Sequence, residues 1–257
     1  MKKKLSMALL VSGTVALSGC TTVAEFAGAD SATLNASATQ SYNKMVSEAS
    51  SKNQLDRSSN TYKRVNAVFL KLKPYADQLN QTGQKFDWQL AVFKSNEVNA
   101  FVAPGGKVGF YTGIVEKLNL TDAEIAAIMG HEMVHALEEH AKQKIGADAL
   151  TNIALGVGLS AAGVGQTGAA AAQLGSQLGI GLPYSRSLES RADYGGLLLM
   201  ARAGYDPEAA ITLWEKMAKN SGGKGVAFLS THPSNTQRID AMRKNMAEAK
   251  AIYNKSR

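Results

Sequence analysis

Gly130-His131-Glu132-Met133-Val134-His135 is the stretch whose reading decides this chain, and Thr121-Asp122-Ala123-Glu124 opens the helix that carries it. On an α-helix, residues four apart lie on one face, about one turn from each other. His131 and His135 can therefore offer two imidazole nitrogens to one metal ion. Glu132 sits at the edge of that face, where a carboxylate can take a proton from metal-bound water. Two buried histidines on an apolar helix would give the same letters, so the surroundings have to decide. Thr121 followed three residues later by Glu124 is a capping-box pattern. Ile125, Ile128, Met129, Val134 and Leu137 recur at helical spacings. Gly130 costs about 1 kcal/mol against alanine inside a helix, which predicts another element packed closely beside the metal face.

Two histidines leave a zinc ion one protein ligand short. The other histidines are His140 and His232. One zincin class places its third ligand ten residues after the first histidine, and here Ala141 stands there. His140 is one residue short of that position and reads as a group behind a ligand or on the surface. The other class takes a glutamate from a later helix, and Glu189-Ser190-Arg191-Ala192-Asp193 supplies one. Glu189 and Asp193 share a helix face, so Glu189 can bind metal while Asp193 holds the free ring N–H of a ligand histidine.

The chain has 257 residues and a formal charge of +7. Residues 1–19 resemble a bacterial lipoprotein signal peptide. Lys2, Lys3 and Lys4 precede a short apolar run, and Leu17-Ser18-Gly19-Cys20 matches a lipobox. That resemblance implies cleavage before Cys20 and lipid on its sulfur. Thr21 carries no inner-membrane retention signal, so the expected location is the outer membrane, facing the periplasm. Cys20 is the single cysteine, so no thiolate is left for catalysis or for a cysteine zinc site. Loss of the three signal lysines leaves a mild excess of +4. No basic stripe with interleaved aromatics argues for nucleic acid.

Residues 20–37 are small and polar and read as a tether; residues 38–257 can bury one core. Tyr42, Met45, Val46 and Ala49 suggest a helix from about Ala38 to Leu55. Val65, Val68, Phe69, Leu72, Tyr75 and Leu79 form a clear helical stripe, which Pro74 should kink or divide. Residues 86–93 alternate as a half-buried strand. Asn99–Ala103 and Lys107–Thr112 are two more strands joined by a Pro104-Gly105-Gly106 turn. The small sheet has two readings: plain structure, or an edge at Asn99, Ala100 and Phe101 that pairs with a substrate backbone. Residues 149–185 carry no charge and many glycines. They read either as a membrane hairpin or as a lid or insertion, and the scattered Asn, Gln and Ser favour the lid. Three further helices are expected after residue 186. Trp88 and Trp214 read as core.

G-H-E-x-x-H with a later E-x-x-A-D resembles the HtpX-like gluzincin metallopeptidases, in a bacterial lipoprotein branch. Asn99-Ala100-Phe101, Gly105-Gly106, Gly113 and Thr231-His232-Pro233-Ser234 followed by Arg238 add to the likeness. The resemblance covers about residues 60–245. It implies an α+β, mostly helical fold of the minigluzincin type, with a small antiparallel or mixed sheet. It also implies one Zn²⁺ per chain, held by His131, His135 and Glu189, with Glu132 as general base and Asp193 behind a ligand. His232 and Arg238 resemble the family's pair near the reacting carbonyl.

The expected function is zinc-dependent hydrolysis of peptide bonds in misfolded or unfolded envelope proteins. Its partners would be polypeptide substrates and, through lipid on Cys20, a membrane; no nucleic acid is expected. The alternative is a tethered chaperone or assembly factor, serving envelope assembly machinery, with a structural or latent zinc site.

Overall fold

The computed structural model describes residues 20–26, 28–154, 183–220, 227–233 and 236–256. The expected signal peptide, most of the glycine-rich stretch and Ser234-Asn235 lie outside these residues. Among the described residues, no helix is long and apolar enough to cross a membrane.

The expected α+β class holds. In chain order the elements are α1 (20–26), α2 (Ser31–Ser51), β1 (Leu55–Asp56), α3 (Asn60–Leu79), β2 (Gln89–Phe93), β3 (Ala100–Ala103) and β4 (Lys107–Tyr111). Then come α4 (Thr112–Lys117), α5 (Asp122–Leu137), α6 (His140–Ala154), α7 (Arg186–Arg202), α8 (Glu208–Asn220), α9 (Phe228–Thr231) and α10 (Thr236–Lys255).

Helix α5 is the axis. Both halves of its capping box form: Glu124 N donates to Thr121 Oγ1 at 3.2 Å, and Thr121 N donates to Glu124 Oε2 at 2.8 Å. Every residue from Glu124 to Leu137 is buried, so this helix is enclosed on all sides rather than striped, as a central helix must be. Its most extensive partner is α7. The reason for glycine at 130 lies there. A Cβ on Gly130 would stand 2.9 Å from Gly196 O, and one on Gly196 would stand 2.7 Å from His131 N. Bare backbone on both helices lets α7 approach α5, which brings Glu189 and Asp193 up to the histidines.

Val65, Val68, Phe69 and Leu72 bury the predicted stripe of α3 against this core. Pro74 does not divide α3, which runs unbroken to Leu79. A proline there takes the partner from the carbonyl of residue 70, and Leu70 is 58% exposed, so water can replace it.

The sheet is mixed, in the order β1-β2-β4-β3. Strands β2 and β4 run parallel, whereas β3 and β4 form an antiparallel hairpin. Its turn needs positive φ at Gly105 (76°) and Gly106 (85°), a conformation open to glycine. β1 was not expected; it pairs Leu55 and Asp56 with Phe93 and Val92, where the pattern had suggested the end of a helix.

The tether reading is overturned. Residues 20–26 are helical, and Asp30 caps a helix that begins at Ser31, with Thr33 N donating to Asp30 Oδ1 at 3.0 Å. Ala24, Ala29 and Leu34 are buried with Ala141 of α6. Buried Lys142 bonds Glu25 Oε1 at 2.6 Å and Ser31 Oγ at 3.1 Å. Small and polar composition suits a linker, yet alanine has the highest helix propensity and loses no side-chain freedom. Contacts with α6 decide between them.

Candidate active site

Helix α5 presents His131 and His135 one turn apart, and α7 brings Glu189 opposite them. The loop after α9 delivers His232 to the same point. His135 Nε2 lies 3.1 Å from His131 Nε2, which lies 3.2 Å from His232 Nδ1. Glu189 Oε1 is 2.9 Å from His232 Nδ1 and 3.5 Å from His135 Nε2. Glu189 Oε2 is 3.5 Å from His131 Nε2. Donors of a tetrahedral zinc ion, each about 2.0–2.1 Å from it, stand about 3.3 Å apart. The observed spacings bracket that value, so these residues fit a metal ion. Together His131, His135, Glu189 and His232 form a buried group able to hold one. Reading by spacing had put three of these four in the set and had given His232 a different task; the Thr231-His232-Pro233 triplet was the only signal for it.

Each helix histidine is oriented from behind. His131 Nδ1 lies 3.1 Å from Asp193 Oδ1, close enough to pair though off the ideal donor direction. Asp193 is in turn gripped by Arg238, whose Nε and Nη2 donate at 2.6 and 2.7 Å. Arg238 Nη1 also lies 2.8 Å from Glu189 Oε2, and its guanidinium covers the Trp214 ring at 4.0 Å. This corrects the expectation that Arg238 stands at the reacting carbonyl. The guanidinium faces the carboxylates that hold the site, because two buried carboxylates need a counter-charge. Burial pushes the Asp193 carboxyl upward, but Arg238 and His131 outweigh it and lower it.

A second relay stands behind His135. Its Nδ1 is 2.9 Å from His140 Nδ1, and His140 Nε2 is 3.1 Å from Glu138 Oε2. If His135 Nε2 is free to bind metal, its Nδ1–H donates to His140, whose Nε2–H donates to Glu138; one tautomer assignment satisfies the whole chain. Burial holds both His135 and His140 below the usual imidazole range, which keeps them neutral. His140 is fully buried, so of its two expected readings the surface one falls away. Tyr184, which sequence reasoning had not singled out, stacks on His135 with ring centroids 4.2 Å apart.

Glu132 projects between strand and cluster. Its Oε2 accepts from Val102 N at 3.3 Å, and its Oε1 lies 3.2 Å from His232 Nε2. Burial raises its carboxyl above the ordinary range, against the opposing pull of His232 and His131. Burial would depress His232, but Glu132 and Glu189 beside it raise it.

Strand β3 lies at the sheet edge, yet all four of its residues are buried, with α5 and α2 against them. The expected edge is therefore covered by neighbouring helices rather than an open margin. Of the three residues expected there, Asn99 turns its carbonyl to Tyr111 N at 3.2 Å, and by alternation Phe101 also faces β4. The outward backbone belongs to Ala100 and Val102.

Comparison with curated proteins finds mitochondrial metalloendopeptidase OMA1 of Schizosaccharomyces pombe, 41% identical over 165 residues, which are 63% of this chain and 48% of that protein. Metalloprotease LoiP of Escherichia coli is 29% identical, covering 65% of this chain and 66% of that one. Metalloprotease YcaL of Escherichia coli is 29% identical over 216 residues, 81% of this chain and 79% of that one. The chain thus spans about half the length of the fission-yeast relative. Peptidase family M48, whose members bind zinc, matches residues 60–246 and so takes in every donor of the cluster: this chain belongs to peptidase family M48.

Proposed function

We propose that the chain is a zinc-dependent endopeptidase of the HtpX-like lipoprotein branch. It acts on misfolded or unfolded proteins of the bacterial envelope, and lipid on Cys20 holds it at the outer membrane, facing the periplasm. The observation that carries the peptidase reading is the convergence of donor atoms of His131, His135 and Glu189, 3.1–3.5 Å apart, with Glu132 on the same helix beside them. The printed names of the relatives, metalloendopeptidase and metalloprotease, support it. Leu17-Ser18-Gly19-Cys20 supports the location.

His131, His135 and Glu189 would hold the ion. A bound zinc supplies Lewis acidity, polarising a carbonyl and making water acidic near neutral pH. Glu132 accepts a proton from the attacking water and returns it to the leaving amine; its raised affinity for protons suits both halves of that task. His232 Nε2, beside Glu132, donates to the developing oxyanion, a role whose loss costs about 10²–10³ in rate. Asp193 and Arg238 hold ligands in place. Envelope assembly machinery is a further partner of such a protein.

One observation favours a second reading. Structural zinc sites are closed by four protein ligands, whereas catalytic ones keep a position open, and His232 Nδ1 stands in the fourth position. In that reading the site is latent or structural and the protein serves as a tethered chaperone. Digestion of an unfolded protein separates the two. The peptidase reading expects chelator-sensitive cleavage by the wild type, zinc retained in Glu132→Gln, and a rate about 10²–10⁴ lower in that variant. A zinc-loaded wild type that leaves the substrate intact would overturn it. Faster cleavage by His232→Ala would favour latency.

A further inference from the structure

The wall beside His135 is built partly from residues outside the family match, which begins at residue 60. Leu34 and Asn35 of α2 line a narrow pocket together with Val102, Pro104, His135 and Tyr184. Val102 sets this pocket next to the reacting centre, since its N–H reaches Glu132 at 3.3 Å. A peptide extended along the outward side of β3 would pass here and turn alternate side chains toward the pocket.

The wall is firmly held. Leu34 is 2% exposed among Ala24, Ala29 and Ala141. Asn35 abuts the hairpin turn, where a Cβ on Gly105 would come within 3.2 Å of it. Lys142 pins α1 and the start of α2 to α6 through Glu25 and Ser31. Free space in the pocket amounts to about one water molecule. Its inner surface at Leu34, Val102 and Pro104 is apolar, and the nearby Lys142 ammonium is already paired. Glu139 also lines the pocket, 3.9 Å from the Lys142 ammonium, so an acidic side chain entering would lose its water and meet a carboxylate.

Resting on the endopeptidase reading, we propose that Leu34 and Asn35 form the limiting wall of a specificity pocket. It accepts a small substrate side chain flanking the cleaved bond and rejects large or acidic ones. Leu34 sets the size limit. A misfit of one methylene in an apolar pocket shifts selectivity by about 10–200-fold.

The test compares kcat/KM for peptides that differ only in carrying alanine or leucine at each position flanking the cleaved bond. At one of the two positions the wild type should prefer alanine by about tenfold or more. Leu34→Ala should shrink or reverse that preference by a similar factor, and the milder Leu34→Val should move it the same way by less. The ratio of two substrates on one enzyme sample does not depend on how much of it is folded, so a destabilised variant still reports. Binding of the same peptides to Glu132→Gln, followed by fluorescence anisotropy, reads the pocket without turnover and should show the same order. Absence of a size preference at both positions, or a preference unmoved by both Leu34 variants, overturns the proposal. If the zinc-loaded wild type cleaves nothing, the endopeptidase reading fails separately. Peptide binding to Glu132→Gln, with and without Leu34→Val, then decides the pocket.

Discussion

Replacing Arg238 by lysine tests how the site is held together. Arg238 Nε and Nη2 donate to both oxygens of Asp193 at 2.6 and 2.7 Å, and Nη1 lies 2.8 Å from Glu189. A lysine ammonium is a point charge on a flexible stem and cannot fork across two carboxylates. Hydrogen bonds to charged groups are worth about 1.5–3 kcal/mol each. Loss of two, offset in part by the retained charge, comes to about 3 kcal/mol. Domains have about 5–15 kcal/mol in all, so the variant should stay folded. At about 2–4 °C per kcal/mol for a chain of this size, its melting temperature should fall by about 6–12 °C. Loosening the partners behind a ligand also weakens metal binding, by about 10–100-fold. The assays are thermal melts, zinc affinity by competition with a chelating dye, and kcat at saturating zinc. Weaker zinc, a lower melting temperature and a kcat within about tenfold of wild type mark a positioning residue. If Arg238 instead served the oxyanion, kcat would drop about 10²–10³ while zinc affinity held. That split would refute the reasoning.

Asp193→Asn keeps the shape but removes the charge behind His131, and zinc affinity should fall about 10–100-fold in the same dye competition; unchanged affinity would leave the relay without a role. Gly196→Ala puts a methyl 2.7 Å from His131 N, and an overpacked contact with backbone should cost about 1–3 kcal/mol or more in chemical denaturation. Metal removal by a chelator should lower thermal stability, by about 4 kcal/mol if zinc had been present at a thousand times its Kd; an unchanged melting curve argues against a folded-state metal site. Burial pushes Glu124 upward, but Lys216 and Thr121 outweigh it and hold the carboxyl below 4.5. A depressed folded pKa contributes stability above the unfolded value, which is lost as pH falls through the folded one. Glu124→Gln should therefore be less stable at pH 7 and flatter in its stability profile below about pH 4.5; equal slopes in the two proteins would contradict this.

What the amino-acid order determined by itself is whatever repeats within a turn or two of backbone. His131 and His135 share a face because helix geometry requires it, and so do Glu189 and Asp193. Thr121 and Glu124 announce the start of α5, and Pro104-Gly105-Gly106 announces a hairpin. Gly130 foretold a close neighbour without saying which one. The rest depended on groups far apart along the chain. His232 reaches His131 across 101 residues, so no periodicity could assign its nitrogen to the donor set. Arg238 looked available to substrate until two buried carboxylates claimed it. Residues 20–37 looked like a linker because they are small and polar, and their helices are fixed by burial against Ala141, by the Lys142 pairs and by the contact of Asn35 with the hairpin turn. Short-range geometry is written in the dihedral angles each residue allows. Which charge is neutralised by which, and which small surface is buried against another, is settled only when distant segments compete for the same partners in three dimensions.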